Sequence, residues 1–314
     1  MYALAVDLPA GFRFRAPSHD DLAAVADVLL ADQLADGVEP TLDAHFLRQV
    51  WSRPEFDLAA DAWVVTDGAE SIVGYGQVRR EEADTVGSWG VVHPEQRGRG
   101  IGPALFDRIE ERSAVLLEGV PSPLFRHSLN GGDLAAAAMI RDRGFQPIRH
   151  FWHMQIYLDG EVEPGPSPDG IESGAIEPRN DLPATHGILQ AAFASDPLDQ
   201  MEPFDRWVIE NTTKPSYDPT LWLLAGDGGT AVGALIANVG DDVGWVDWLA
   251  VLASHRGRGI GGALLHQSFA MISARGLRRV RVNVDAENVT GATAVYERVG
   301  MRVVNRWDLW ERRA

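Results

Sequence analysis

The hexapeptide Arg-Gly-Arg-Gly-Ile-Gly stands twice in this 314-residue chain, as Arg97–Gly102 and as Arg256–Gly261. The copies lie 159 residues apart (256 − 97), close to half the chain. A long-period repeat constrains the fold more than any other feature, because each copy marks one folding unit. The flanks repeat too. Trp89-Gly90-Val91-Val92 precedes the first copy and Trp248-Leu249-Ala250-Val251 the second, and helix-like stretches follow at Ile101–Leu116 and Ile260–Arg275. The starts match as a short strand and an amphipathic helix, Phe12–Leu30 and Gly170–Ala192. The ends match more loosely, Met139–Phe145 against Val295–Met301. Between the halves, Asp159–Gly170 is rich in Pro, Gly and acid and carries no apolar period, which reads as a linker. The expected organisation is a domain over residues 1–158, a linker over 159–170 and a second domain over 171–314.

Each half reads as strand, helix, helix, three strands, helix, strand, helix, strands. In the second half the three strands are expected near Leu221–Ala225, Ala231–Val239 and Gly244–Val251, with turns at Gly228-Gly229 and Asp241-Asp242. A later strand over Val280–Val284, a helix over Thr290–Val299 and a strand through Val303–Trp310 complete the half. Hairpins beside one strand–helix–strand unit predict an α+β fold, each domain a mixed, mostly antiparallel sheet flanked by helices.

Composition narrows the chemistry. There is no cysteine, which removes disulfides, thiolate metal ligands and a cysteine nucleophile, and which fits a reducing, cytoplasmic setting. His150 and His153 fall on opposite faces of a strand, so no metal site is expected. No apolar run approaches the length of a membrane span, and Met1–Gly11 lacks the basic flank and apolar core of a signal peptide. The net charge of −17 argues against nucleic-acid partners. It serves solubility, or it attracts a cationic amine. Lys214 is the single lysine.

The repeated loop is an anion cradle in physical terms. Its glycines let the backbone approach a ligand with several N–H groups converging, and the helix that follows adds its free N–H groups and positive dipole end. A pyrophosphate suits such a site. The Gly-Lys-Ser/Thr of a P-loop is missing from both copies. Gly257, Gly259 and Gly262 spell the dinucleotide pattern, but several strands precede them, and Pro103 replaces the last glycine in the first copy. Both copies satisfy Arg-x-x-Gly-x-Gly.

With Arg97-x-x-Gly100-x-Gly102, Arg256-x-x-Gly259-x-Gly261, the strands before them and Asn288…Ala292…Tyr296…Gly300-Met301, the chain resembles the GNAT superfamily of acetyltransferases over nearly all of both halves. The tandem arrangement is similar to that of the mycothiol synthases, without fixing an acceptor. The resemblance implies acetyl-CoA as the donor and a small-molecule amine as the acceptor. It implies that Leu249, Ala250 and Val251 line the pantetheine arm. Arg256, Gly257, Arg258, Gly259, Ile260, Gly261 and Gly262 then hold the pyrophosphate, and Asn288 contacts the pantetheine or phosphate region. In the first half the corresponding residues are Val91 and Val92 on the strand and Arg97, Gly98, Arg99, Gly100, Ile101 and Gly102 in the loop. The resemblance implies Tyr296 as the acid for the departing thiolate. It also points to Asp247, on the strand before the loop, as base or substrate ligand. Strand alternation groups Trp245, Asp247 and Leu249 on one face, and a carboxylate between Trp245 and Trp248 is expected to have a raised pKa. Aligning Gly144-Phe145 with Gly300-Met301 sets Ile140 against Tyr296, so the first half is expected to be degenerate, though still open to coenzyme A. The expected reaction is direct transfer of acetyl from acetyl-CoA to a primary amine. The alternative is a non-catalytic acyl-CoA-binding or sensor protein. Phe193–Tyr217 and Asn283 are expected to choose the acceptor.

Overall fold

The computed structural model describes residues 8–40, 42, 44–53, 55–160, 162–194, 201–214, 217–240, 242–287 and 291–313. Asn288, Asp241 of the second expected turn, and residues 195–200 and 215–216 of the expected acceptor-choosing segment lie outside them.

The first half runs β1 (Arg13–Arg15), α1 (Leu22–Ala35), α2 (Ala44–Trp51), α3 (Leu58–Asp61), β2 (Ala62–Thr66), β3 (Ile72–Arg80), β4 (Thr85–Val92), α4 (Ile101–Leu116), β5 (Leu124–Asn130), α5 (Leu134–Asp142) and β6 (Gln146–Tyr157). The second runs β7 (Ile171–Ala175), α6 (Pro178–Phe193), α7 (Phe204–Thr212), β8 (Leu223–Asp227), β9 (Thr230–Val239), β10 (Gly244–Val251), α8 (Ile260–Ala274), β11 (Arg279–Asp285), α9 (Ala292–Arg298) and β12 (Arg302–Arg313). The α+β expectation holds, with one short helix, α3, in the first half that the expected order does not contain. Gly228 and Gly229, at φ 57° and 81°, make the expected two-residue turn between β8 and β9, where the hairpin twist needs positive φ at both positions. Among the described residues no helix is long and apolar enough to cross a membrane.

The chain divides into two compact units that do not follow the sequence halves to their ends. One comprises Met1–Trp152, Asp285–Glu287 and Val304–Ala314; the other comprises His153–Val284 and Asn288–Val303. In the first unit the strands run β1-β2-β3-β4-β5-β12. β1 to β4 are antiparallel, β4 and β5 parallel, and β5 pairs antiparallel with Trp307–Arg313 of β12. Alternation assigns the two faces. Tyr75 and Val91 pack with Val25, Leu29, Leu47 and Trp51 of α1 and α2. Gly76 turns the other way, where an added Cβ would come 2.9 Å from Leu105 of α4, so glycine there lets the helix lie close on the sheet. Trp310 of β12 is buried with Val78, Phe106, Phe125 and Phe145.

In the second unit the order is β7-β8-β9-β10-β11, with the end of β6 beside β11. β7 to β10 are antiparallel, and β10 and β11 are parallel. Its buried residues include Leu235 and Ile236 of β9, Leu264, Phe269 and Ile272 of α8, and Val280 and Val282 of β11.

The last strand in the sequence thus contributes to the core of the first unit. Trp310→Ala is expected to destabilise that unit by about 3–5 kcal/mol, the usual cost of emptying a buried aromatic site. Denaturant unfolding measures the loss. Hydrogen exchange is expected to rise in β3, β5 and α4 while β9 and α8 keep their protection.

Candidate active site

The second unit builds its site from one irregular strand. β10 pairs with β11 only at Gly244–Val280, Trp245–Arg281 and Val246–Val282, after which the two parallel strands part. On its other side β10 stays paired with β9 to Val251, but the register shifts between Val246 and Trp248. Asp247 is therefore the extra residue of a β-bulge at the parting point. Bulges leave one residue outside the ladder and re-aim its side chain.

The bulge also corrects the face assignment made by strict alternation. Before it, Gly244 faces α8, where an added Cβ would meet Ile272 at 2.7 Å. Trp245 therefore faces away from α8. After it, Leu249 and Val251 face the start of α8, at 3.7 and 3.9 Å from a Cβ built on Gly261. Trp248 turns to α6, its ring 5.1 Å from that of Phe193. Trp245 and Leu249 thus lie on opposite faces, and the expected trio does not share one.

Asp247 Oδ2 accepts a hydrogen bond of 2.5 Å from Asn238 Nδ2 on β9. The side chain is exposed at the parting point, with neighbouring protein displacing part of its hydration. Loss of water raises its pKa above the ordinary aspartate range, as expected, while the Asn238 hydrogen bond and then the Lys214 charge act to lower it. Asn238 is a functional candidate that the sequence reading passed over. The available signal was a lone amide near the end of the apolar run Ala231–Val239.

β10 leads into the glycine loop. Gly257 and Gly259 sit at φ 78° and 83°, in the left-handed region that favours glycine. Gly259 caps α8 without a side-chain bond, and the first backbone donor engaged there is Ala263, to Gly259 O. Among the described residues, the backbone N–H groups from Gly257 to Gly262 have no hydrogen-bond partner. These donors, at a helix N-terminus beside an open strand edge, fit an extended ligand ending in a diphosphate. The arginines of the loop have other partners. Arg256 Nε donates to Val251 O at 3.1 Å, and Arg258 pairs with Asp227 at 2.6 Å.

Tyr296 comes to the same region because α9 packs on the start of α8. Val295 lies 3.5 Å from a Cβ built on Gly261, and Val299 3.9 Å from one on Gly262. Tyr296 is buried, burial raises its pKa, and its hydroxyl has no hydrogen-bond partner among the described residues.

The first unit repeats this plan with substitutions. β4 and β5 pair from Thr85–Leu124 to Ser88–His127 and then part, but β4 pairs with β3 without a register shift. Ser88 occupies the place of Asp247 in the repeat, its hydroxyl 2.9 Å from Arg126 O and 2.8 Å from His127 Nδ1. Burial pushes His127 down to about 3, so its ring is neutral at ordinary pH. Gly98 and Gly100 repeat the left-handed turns. The N–H groups from Gly98 to Gly102 have no partner among the described residues, but Pro103 removes the donor that Gly262 supplies. Arg97 is clamped by Asp32 at 2.6 Å and Asp36 at 2.9 Å. A cavity of about 460 Å³ lies between the parted strands, bordered by Trp89–Val92, Asp32, Gly100 and Asn130. The ends of α5 and α9 are built alike: Phe145 N–H donates to Ile140 O, and Met301 N–H to Tyr296 O, around Gly144 and Gly300 at positive φ. That shared cap sets Ile140, wholly buried, in the place of Tyr296.

Comparison with known proteins agrees with this geometry. The model of the "Acetyltransferase (GNAT) family" matches residues 184–301, and that of the "Acetyltransferase (GNAT) domain" matches 59–147. The mycothiol acetyltransferase of Catenulispora acidiphila is 30% identical over 304 residues, 91% of this chain and 93% of that protein. That of a Nocardioides species is 31% identical over 90% of this chain and 93% of its own. The chain belongs to the GNAT acetyltransferase family. A GCN5-related N-acetyltransferase from Sphaerobacter thermophilus superposes with a TM-score of 0.85 at 32% identity, over 98% of this chain and 97% of its own. A tandem GNAT protein from the clavulanic acid biosynthesis pathway, at 18% identity and a TM-score of 0.66 over 96% and 98%, shares the fold. As a GNAT enzyme this protein is an acyltransferase that takes its acetyl group from acetyl-CoA.

The two cradles differ by one donor and by the acids around Arg97. Valine at a left-handed glycine is strained and hinders close approach of a phosphate. Gly259→Val is therefore expected to remove the tighter coenzyme A site in a calorimetric titration. Gly100→Val is expected to remove at most a weaker one.

Proposed function

We propose that the second sequence half catalyses direct transfer of acetyl from acetyl-CoA to a primary amine on a small molecule. The observation that carries the reading is the bulge that turns Asp247 out of the ladder where β10 and β11 part. In this reading Leu249–Val251 offer the strand edge to the pantetheine arm, Gly257–Gly262 hold the pyrophosphate, and Arg256 and Arg258 supply positive charge beside it. Asn288 completes the contacts near the pantetheine.

Acetyl-CoA supplies an acyl group activated as a thioester. Asp247 draws the amine into the site and takes a proton from it as its nitrogen adds to the carbonyl carbon. As the carbon–sulfur bond breaks, Tyr296 gives its phenolic proton to the departing sulfur. The products are an amide and coenzyme A; Asp247 then releases its proton to solvent and Tyr296 takes one back, which restores both residues. Tyr296 is buried on α9 and its phenol is protonated at neutral pH, so it has a proton to give.

The first half serves as a degenerate partner in this proposal. Val91, Val92 and the loop from Arg97 through Gly98, Arg99, Gly100 and Ile101 to Gly102 keep a groove for coenzyme A. Ile140 and Ser88 leave that groove without the proton donor and carboxylate of the second. The relatives named mycothiol acetyltransferase make a mycothiol precursor amine the first acceptor to try. The absence of cysteine fits action in a reducing cytoplasm.

The test is steady-state kinetics with a panel of amines. Tyr296→Phe is expected to lower kcat about 10²–10⁴-fold with little change in acetyl-CoA affinity; full activity would remove it from the mechanism. Wild-type kcat/KM, expressed per unprotonated amine, is expected to fall on the acid side as Asp247 gains its proton. Since its pKa is raised, that limb lies at higher pH than an ordinary aspartate would give, and Asp247→Asn flattens it.

A further inference from the structure

We propose that Asn238 is a positioning residue for Asp247: its side-chain amide holds one carboxylate oxygen at the strand bulge and leaves the other for the acceptor amine. This rests on the reading of Asp247 as the proton acceptor.

The geometry supplies the argument. A bulged residue has no ladder partner, so nothing in the sheet itself fixes where its side chain points. Asn238 stands opposite Trp245 on the neighbouring strand, two residues before Asp247. From there its Nδ2 donates to Asp247 Oδ2 at 2.5 Å. The amide is thus the device that turns a backbone irregularity into a defined direction. One bond to one oxygen holds the group from a single side, and Oδ1 keeps its lone pairs for an incoming N–H.

The chemistry of the partner matters as much as its position. An arginine in its place would bind both oxygens and carry a full opposite charge, and would thereby weaken the base. A neutral amide orients the carboxylate while leaving most of its basicity. The charged group that acts on Asp247 among the described residues is Lys214, beyond α7. The residues flanking Asp247 on β10, Val246 and Trp248, are uncharged, as is Asn238 on β9. The acceptor therefore meets a carboxylate that is steered but not neutralised. Ser88, at the matching place in the first unit, shows the other outcome: β4 has no bulge, and the side chain turns to the main chain of Arg126.

The experiment is the pH dependence of kcat and kcat/KM for the full-length enzyme with acetyl-CoA and an accepted amine. The variants are Asn238→Ala, Asn238→Asp, Lys214→Gln, Asp247→Asn and Asn238→Ala/Asp247→Asn. Asn238→Ala removes a bond that favours the charged carboxylate. Its acid limb is expected to move up by about 0.5–1 pH unit. On the alkaline plateau kcat is expected to fall about tenfold through lost orientation, with KM for acetyl-CoA unchanged. Asn238→Asp is nearly isosteric and keeps the hairpin; its limb moves further up, because two carboxylates then share one place. Lys214→Gln moves the limb up, because it removes a charge that favours the ionised carboxylate. In the double variant, Asn238→Ala costs nothing beyond Asp247→Asn, since its target is gone.

If the limb stays where it is in both Asn238 variants while Asp247→Asn flattens it, Asn238 is structural and the proposal falls, with Asp247 still the base. If Asp247→Asn keeps the wild-type limb, the reading of Asp247 falls, and the role of Asn238 with it. A thermal melt accompanies each variant. A lowered Tm with an unmoved limb counts against positioning.

Discussion

The site depends on two parallel strands that stop pairing. β10 and β11 share three residue pairs and then part at Val246 and Val282, one residue before Asp247. Backbone groups at an open edge seek partners from water or from an extended ligand, so the parting itself creates a strand-shaped receptor. The glycine loop stands at one end of the receptor because β10 runs directly into it. The bulged carboxylate stands at the other end because the bulge coincides with the parting. α9 closes on the start of α8 through Val295 and Val299, and Tyr296 is buried on the same short helix. The charged and polar groups of the site are consequences of where one strand pair ends.

The first unit shows which of these consequences follow from the fold and which had to be maintained separately. It keeps the parting, the two left-handed glycines and the unpaired N–H groups, because all three belong to backbone geometry that the duplication copied whole. It lacks the bulge, the carboxylate, the phenol and the last donor of the cradle. Asp32 and Asp36 clamp Arg97, and burial raises Asp32 to about 6 even against that pairing. Acidic groups beside an anion cradle oppose the charge that it is shaped to hold. The first unit thus keeps the form of the second without the side chains that the proposed reaction uses, as can happen where packing is set by many residues and chemistry by few.

Much of this was legible in the sequence, and the reasons are local. Gly228-Gly229 fixes a hairpin, the two Arg-Gly-Arg-Gly-Ile-Gly loops fix the register of the repeat, and Gly144 and Gly300 fix the ends of matching helices. Each is a position where one residue type answers one backbone need. The bulge was not legible. Val246, Asp247 and Trp248 suit a regular strand as well as an irregular one, and the irregularity emerges only from pairing with β9. Missing it placed Trp245 and Leu249 on one face instead of two. The partners of the loop arginines were hidden for a similar reason, because Asp32 and Asp227 lie 65 and 31 residues away from Arg97 and Arg258 in sequence. The assignment of β12 to the compact unit of the first half depends on long-range pairing with β5, which no local pattern encodes.

The two proton carriers of the proposed reaction face a mismatch that the site is built to reduce. An ammonium acceptor has a pKa of about 8–10 and an ordinary aspartate one of about 4, so proton transfer between them is steeply uphill. Raising the carboxylate by withdrawing water narrows that gap. The same withdrawal raises Tyr296, which taken alone makes it a poorer acid toward a thiolate of pKa about 8.5. The thiolate, however, would form in the same partly dry groove, where its own charge is as costly as the phenolate's. Burial lifts both members of that second pair and leaves their difference small. In the first pair, burial raises the carboxylate and lowers the ammonium, drawing the two together. In the proposed reaction, loss of water where β10 and β11 part therefore favours the first transfer and leaves the second little changed, so one groove can serve both the proposed base and the proposed acid.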